Sequence, residues 1–266
     1  MPDVLIQVLW RRRFWLIWWG LGLLATDALL AFAYPTVRDN NELDKTFAGL
    51  PPGVQVALGL QAGAISAPAG YLNSQYFANI LPILLLVFGI GLAAWCIGGD
   101  EAAGTLELLL ENPVSRARVT IERATALVVE LAIATAIAGL GLAALAPVTG
   151  LTTGLALDKI MDAAIATGLL ALTFAALAFA VGAVTGSRGA AISIAAAVAV
   201  GLFMIEGLAE PVKLLRSIRE ASPWHWLLGT DPIRNGLLWQ TWALPVVVSA
   251  ALILAGSLIF ARRDLR

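Results

Sequence analysis

Charge is scarce in this chain: only 13% of its 266 residues are Asp, Glu, Lys or Arg, against 59% hydrophobic residues. With a mean hydropathy of +0.85, it is too apolar for a soluble domain and reads as an integral membrane protein. There is one cysteine, Cys96, which excludes an internal disulfide and any multi-cysteine metal site. There is one histidine, His225, and it falls in a loop rather than in an apolar run. An intramembrane metal centre or serine-histidine dyad needs histidine at membrane depth, so neither is expected. A GxxxxGK[ST] phosphate loop is also missing, since Gly186-Ser187-Arg188-Gly189, the nearest glycine cluster, lacks both the spacing and the lysine. The chain therefore has no means of hydrolysing ATP by itself.

Long apolar runs are what the sequence has instead. Six of them, near 14–34, 76–97, 124–147, 160–184, 190–207 and 241–261, are long enough for a helix rising 1.5 Å per residue to cross a hydrocarbon core of roughly 30 Å. The loops between them leave no room for a second domain of ordinary size. The expected fold class is an all-α integral membrane protein with six transmembrane helices forming a single domain over 1–266.

Orientation follows from basic residues near the span ends. With both termini cytoplasmic, the inner side holds Arg11, Arg12, Arg13, Arg116, Arg118, Arg123, Arg188, Arg262, Arg263 and Arg266, more than half of the 17 basic residues. Tryptophans are expected at the headgroup level, with Trp10, Trp15, Trp18, Trp19 and Trp95 near inner ends and Trp224, Trp226, Trp239 and Trp242 near outer ends. Arg11 to Arg13, the first apolar run and Ala31-Phe32-Ala33 also have the outline of a secretory signal, but the run is long for one.

Two outer segments stand out. In the first, Pro51-Pro52 is placed to start a short helix lying on or dipping into the outer face. In the second, Leu214, Leu215 and Ile218, with Lys213, Arg216 and Arg219 between them, predict an amphipathic interfacial helix that Ser222-Pro223 breaks. His225, among tryptophans there, is expected to be an interfacial polar residue rather than a substrate ligand. Gly182 and Gly186, at GxxxG spacing, and Gly139 with Gly141 predict close helix packing within the chain.

Asp27 in the first span and Glu130 in the third are acids at membrane depth, where a charge costs about 2.5 to 3.5 kcal/mol on insertion scales. They can contact a cationic or polar substrate group along a translocation pathway. They can equally hydrogen-bond a neighbouring helix as structural groups, and residue type alone leaves both uses open.

The most informative segment is polar and lies between the second and third runs: DEAAGTLELLLENPVSRAR, residues 100–118. Asp100 can cap a short helix with Glu101 in its first turn. Leu106, Leu109 and Leu110 then share one face, and Glu107 and Glu111 lie i, i+4 on another. Asn112-Pro113 stops the helix, and Ser115 can cap the next, which runs through Arg116, Arg118 and Arg123 into the third span. Docking of the apolar face into a groove on a soluble partner fits this pattern, as does a surface helix without a partner.

The run Glu101, Gly104-Thr105-Leu106-Glu107, Leu109-Leu110, Pro113-Val114-Ser115-Arg116 resembles the cytoplasmic signature of the type-2 ATP-binding-cassette (ABC) exporter permeases. The resemblance implies six transmembrane helices, cytoplasmic termini, a coupling segment at 98–123, and a partly re-entrant outer segment between helices five and six. It further implies that Glu101, Gly104, Thr105, Leu106, Glu107, Leu109 and Leu110 meet a separate ABC ATPase subunit, with Pro113, Ser115 and Arg116 shaping the turn back into the membrane. ATP and magnesium then belong to that partner, and no cofactor or metal is expected on this chain. The other partners implied are a second permease copy or homologue and membrane lipid, with no nucleic acid, in a bacterial inner or plasma membrane. Ala102-Ala103, where relatives often carry charge, and Arg123, where a lysine is usual, depart from the pattern.

The expected function is thus ATP-driven export of an amphipathic or lipid-like compound, drug or peptide. An ion-coupled secondary transporter is the alternative, and it predicts duplicated halves with broken helices; a membrane anchor for a soluble complex is another.

Overall fold

The computed structural model describes residues 3–38, 44–46, 49–51, 54–55, 64–96, 116–208 and 215–262, whose regular structure is entirely helical. In chain order the helices are α1 (Asp3–Val37), α2 (Pro68–Ala94), α3 (Arg116–Thr149), α4 (Leu157–Thr185) and α5 (Arg188–Leu208), then the short α6 (Arg216–Glu220), α7 (Pro223–Leu228) and α8 (Pro232–Asn235), then α9 (Trp239–Arg262). The six long ones each contain an apolar stretch long enough to cross a membrane. They correspond one to one with the six expected runs. The main difference is at α2, which starts at Pro68 rather than Tyr76. Its first part, Asn73–Ile80, is a π-helix. Asn73, Ser74 and Gln75 are polar and read as lying before the span, yet Ser74 Oγ donates to the Tyr71 carbonyl at 3.2 Å and Asn79 Nδ2 to the Ser74 carbonyl at 2.7 Å. Polar side chains satisfied against their own backbone can stay helical in an apolar setting.

Helix α4 is the spine of the bundle and packs against α2, α3, α5 and α9. In α2 and α4, 67% of the apolar window is buried, against 22% in α5 and α9, so the first pair is central and the second faces outward. Composition explains why. Alanines line α4 (Ala163, Ala164, Ala171, Ala175, Ala178 and others are fully covered), and small side chains let helices approach closely where lipid offers no hydrophobic drive for association. At Gly256 of α9 a Cβ would stand 2.9 Å from the Ala180 Cα, and at Gly139 of α3 it would stand 2.9 Å from the Ala164 Cβ. The expected Gly182/Gly186 contact is not of this kind. Gly186 ends α4 in a left-handed conformation (φ 67°), its N–H bonded to the Gly182 carbonyl at 2.8 Å, which is a glycine C-cap.

Two sets of contacts fix the helix directions. Gly139 against Ala164 and Gly168 against Thr135 make α3 antiparallel to α4; Ser249 against Thr173 and Gly256 against Ala180 make α9 parallel to α4. Both chain ends and the flanks of the α2-to-α3 connection therefore gather at one end of the bundle, called here the terminal end. The short helices and the connections from α1 to α2 and α3 to α4 lie at the distal end.

At the distal end the expected amphipathic helix is only partly described, since Lys213 and Leu214 lie outside the described residues. What is seen is one turn and a half, α6, before Ser222-Pro223. That pair ends α6 and also starts α7, with Ser222 Oγ accepting the Trp224 N–H at 3.3 Å and Pro223 in the first turn. Trp224, Leu227, Leu228 and Ile233 are buried. Trp224 is thus not the interfacial tryptophan expected: it is 4% exposed, and its indole N–H donates to the Ala199 carbonyl of α5 at 2.9 Å. Most of the Phe47–Ala69 stretch and Pro52 fall outside the described residues. Its described end is tied down by Ser66, which donates to the Asp44 carboxylate from both N and Oγ and accepts from the Tyr34 hydroxyl at 3.0 Å.

Replacing Gly256 by Ala should destabilise the bundle by about 1–3 kcal/mol, because the new methyl meets backbone that cannot swing away. Gly201→Ala, where nothing lies within 4 Å of the added carbon, serves as the control and should leave the melting temperature in detergent unchanged or slightly raised.

Candidate functional site

Among the described residues three buried acids lie within the membrane-spanning helices, Asp27, Glu130 and Glu206, and each faces a polar or cationic side chain from another helix or segment. Asp27 is fully buried where α1, α2 and α3 meet. The Tyr76 hydroxyl, presented by the π-helical part of α2, donates to its Oδ1. Its other oxygen occupies the space left by the absent side chain of Gly141 in α3, where a Cβ would be 2.6 Å from Oδ2. Gly141 is therefore a seat for a carboxylate as much as a helix contact. Glu130, 1% exposed, lies towards the terminal end, with Arg12 Nε at 3.6 Å from Oε2. The Arg12 guanidinium also covers the rings of Trp15 and Trp95, at 4.2 and 4.6 Å from their centroids. Asp27 and Glu130 are thus not brought together, and each has its own set of partners.

Glu206 was not singled out by the sequence analysis. It sits in the last turn of α5, 1% exposed, and its Oε1 accepts from Arg219 Nε of α6 at 3.0 Å and meets His225 Nδ1 of α7 at 3.1 Å. His225 is accordingly a partner of a buried carboxylate rather than a free interfacial group. The signal that would have found Glu206 is general: an acid in an apolar run needs a polar partner, and the next polar segment supplies an arginine and a histidine.

Between α2 and α5 runs a groove of about 460 Å³. Ile83, Val87 and Ile90 form one wall, Ala196 and Val200 the other, and Trp224 with Phe203 closes its distal end. Trp224 packs against Phe203 with the rings tilted and their centroids 4.8 Å apart, so the Glu206 cluster, which fixes α6 and α7, also fixes this end wall. Asn79 is a polar side chain that lines it, with its amide Nδ2 donating to the Ser74 carbonyl. Ile83, Val87 and Val200 are more than half exposed, so the groove opens sideways, towards the space a bilayer would fill. Neither Asp27 nor Glu130 lines it. A mostly apolar cavity with one or two polar handles is suited to a molecule with a long apolar part and a small polar one.

The segment with the densest sequence signal, Glu101, Gly104, Thr105, Leu106, Glu107, Leu109, Leu110, Pro113 and Ser115, lies outside the described residues, and Arg116 is the first residue of α3. The structure places its flanks, Cys96 and Arg116, at the terminal end. Among the described residues no group of three or more His, Cys, Asp or Glu is arranged to hold a metal ion.

Beyond the spans, Asp231 takes a left-handed conformation (φ 47°) just before α8. Burial pushes its carboxyl above the usual carboxylate range, and Arg234, 3.9 Å away, only partly offsets this. A carboxyl whose folded pKa is raised adds stability when protonated and loses it as pH rises through that pKa. Asp231→Asn, which suits a left-handed residue, should therefore raise the melting temperature at pH 7.5, with the gain disappearing towards pH 4. Glu206→Leu strands Arg219 and His225 and should cost about 2–4 kcal/mol, less than a fully buried pair because both side chains reach water; Glu206→Gln, still an acceptor, should cost less, both measured by thermal unfolding in detergent.

No curated protein is a significant match to this chain. A family model does match it, that of the ABC-2 family transporter proteins, over residues 10–265, which takes in all six spans and every site above. Proteins of this kind are generally non-catalytic membrane subunits that work with an ABC ATPase. By that match and by its six membrane-crossing helices, the chain belongs to the ABC-2 transporter family and is the permease component of an ABC transporter.

Proposed function

We propose that the chain is the permease of an ATP-driven exporter of amphipathic or lipid-like compounds, with ATP and magnesium bound by a separate ATPase that docks on residues 101–116. The observation that carries this reading is the lateral groove between α2 and α5, apolar along its walls and closed by Trp224 at the distal end. A compound with an acyl or aromatic body can enter such a groove from the bilayer without crossing water. The docking site is proposed on separate grounds. Read as a helix from the sequence, Leu106, Leu109 and Leu110 would share one face beside Glu107 and Glu111, in a connection whose flanks lie at the end where α1 starts and α9 stops. The excess of arginine at that end supports a cytoplasmic position for it, where ATP is available.

On this reading Asp27 and Glu130 hold helices rather than substrate, since their partners are Tyr76 and Arg12. Two permease copies, or this chain and a homologue, would complete the pathway, and closure of the ATPases would re-pack the helices as rigid bodies. An ion-coupled carrier is the reading that the same experiment would favour if this one fails.

Purified from its native host in mild detergent, the tagged chain should carry a Walker-motif ATPase identifiable by mass spectrometry. Glu107→Lys and Leu110→Asp should each cut its recovery by about tenfold or more, as expected when a charge is reversed or buried at the centre of a small interface. A preparation without ATPase, unchanged by both substitutions, would overturn the proposal.

A further inference from the structure

The two flanks of the 97–115 connection are held to each other and to α1 by one compact set of side chains. Cys96 is the last described residue before the connection. Arg123, one turn into the spanning part of α3 and 3% exposed, donates from Nη1 to the Cys96 carbonyl. A cation on the final carbonyls of α2 both satisfies an acceptor that the helix leaves open and opposes the negative end of its dipole. The Cys96 thiol lies 3.9 Å from the Arg123 carbonyl in return. Immediately before Cys96, the ring of Trp95 lies under the Arg12 guanidinium, whose other contacts are Trp15 on its own helix and Glu130 on α3. Trp15 stacks in turn on Phe88 of α2, with ring centroids 4.6 Å apart.

Arg12 is therefore the one side chain in this set that touches α1, α2 and α3 together. Its planar cation suits that position: one face can lie on each ring while the edge points at a carboxylate, a geometry lysine cannot copy. We infer that Arg12 is a positioning residue for energy coupling: it joins α1 to the end of α2 at Trp95 and to α3 at Glu130, two turns beyond the Arg123–Cys96 contact, so that a displacement entering through the ends of α2 and α3 reaches α1, α2 and α3 as one body instead of bending α2 against α3. This rests on the reading that an ATPase docks on the connection, and it adds the route by which the movement enters the membrane.

The chain carries its own reporter, because Cys96 is the single cysteine, fully buried inside the cluster. The permease with its co-purified ATPase is placed in lipid nanodiscs and treated with N-ethylmaleimide, and modification of the Cys96 peptide is followed by mass spectrometry, with and without ATP plus vanadate. In the native complex the alkylation should be slow, and trapping with ATP and vanadate should change its rate. In Arg12→Ala, loss of the stacking and of the ion pair should raise the basal rate by about tenfold. The response to ATP and vanadate should disappear, while the ATPase stays bound and continues to hydrolyse ATP. Trp95→Leu keeps the Arg12–Glu130 pair but cuts its tie to α2, and should lose the response in the same way. It also serves as the decisive variant if Arg12→Ala does not fold.

Two results overturn the inference: an unchanged basal rate, or a higher basal rate with the response to ATP and vanadate retained, which is what a purely stabilising arginine would give. A native preparation in which no ATPase accompanies the chain overturns the docking reading itself. The two failures are thus told apart by whether the ATPase is present.

Discussion

A buried acid in a membrane must find its donor within the protein, because the hydrocarbon around it offers none. That constraint organises this bundle. Asp27 can be accommodated only because Gly141 leaves room and Tyr76 presents a hydroxyl, and those two groups come from α3 and α2. Glu130 draws Arg12 across from α1. Glu206 draws Arg219 and His225 down from the distal segment. Hydrophobic contact cannot choose between neighbouring registers of two alanine-rich helices, since lipid tails are as apolar as the side chains they would replace. Directional polar contacts can, and each of these three joins elements that the alanines merely allow to come close.

The arrangement divides the molecule into a terminal half and a distal half with different characters. At the terminal end the polar contacts run between long helices, α1, α2 and α3, and lie near the flanks of the connection between α2 and α3. At the distal end they run from one long helix to short ones. Glu206 holds α6 and α7, and so sets where Trp224 stands against Phe203 and how the groove between α2 and α5 is closed. On the proposed reading both properties have a use: a stiff end at which an ATPase can push, and an end at which the wall of a cavity is held by a few replaceable contacts.

Much of the fold was legible because membrane crossing leaves so few choices. Six apolar runs gave six helices, and the arginines and glycines near their ends marked where they stop. The errors have a common physical cause. Asn73 to Gln75 read as lying outside the span because polarity was weighed without asking whether those groups could satisfy themselves along a π-helix. Trp224 read as interfacial because indole usually is, although its N–H had a carbonyl to reach in Ala199. Glu206 passed unnoticed because one acid at the end of an apolar run looks like the start of the following loop. Gly186 read as a packing residue when its neighbours Ser187 and Arg188 begin the next helix and only a left-handed glycine permits so tight a turn. The groove itself could not have been read at all, since its walls are 100 residues and more apart in sequence and none of them is distinctive alone.

The central claim is that the connection between α2 and α3 is where an ATPase takes hold of this permease. Its most direct measurement is photo-crosslinking in native membranes with benzoylphenylalanine placed singly at Leu110 and, for comparison, at Val148 near the distal end. The account predicts that the probe at 110 captures a protein with Walker motifs and that the probe at 148 does not. Capture of lipid alone from position 110, or of the ATPase from position 148, would contradict it.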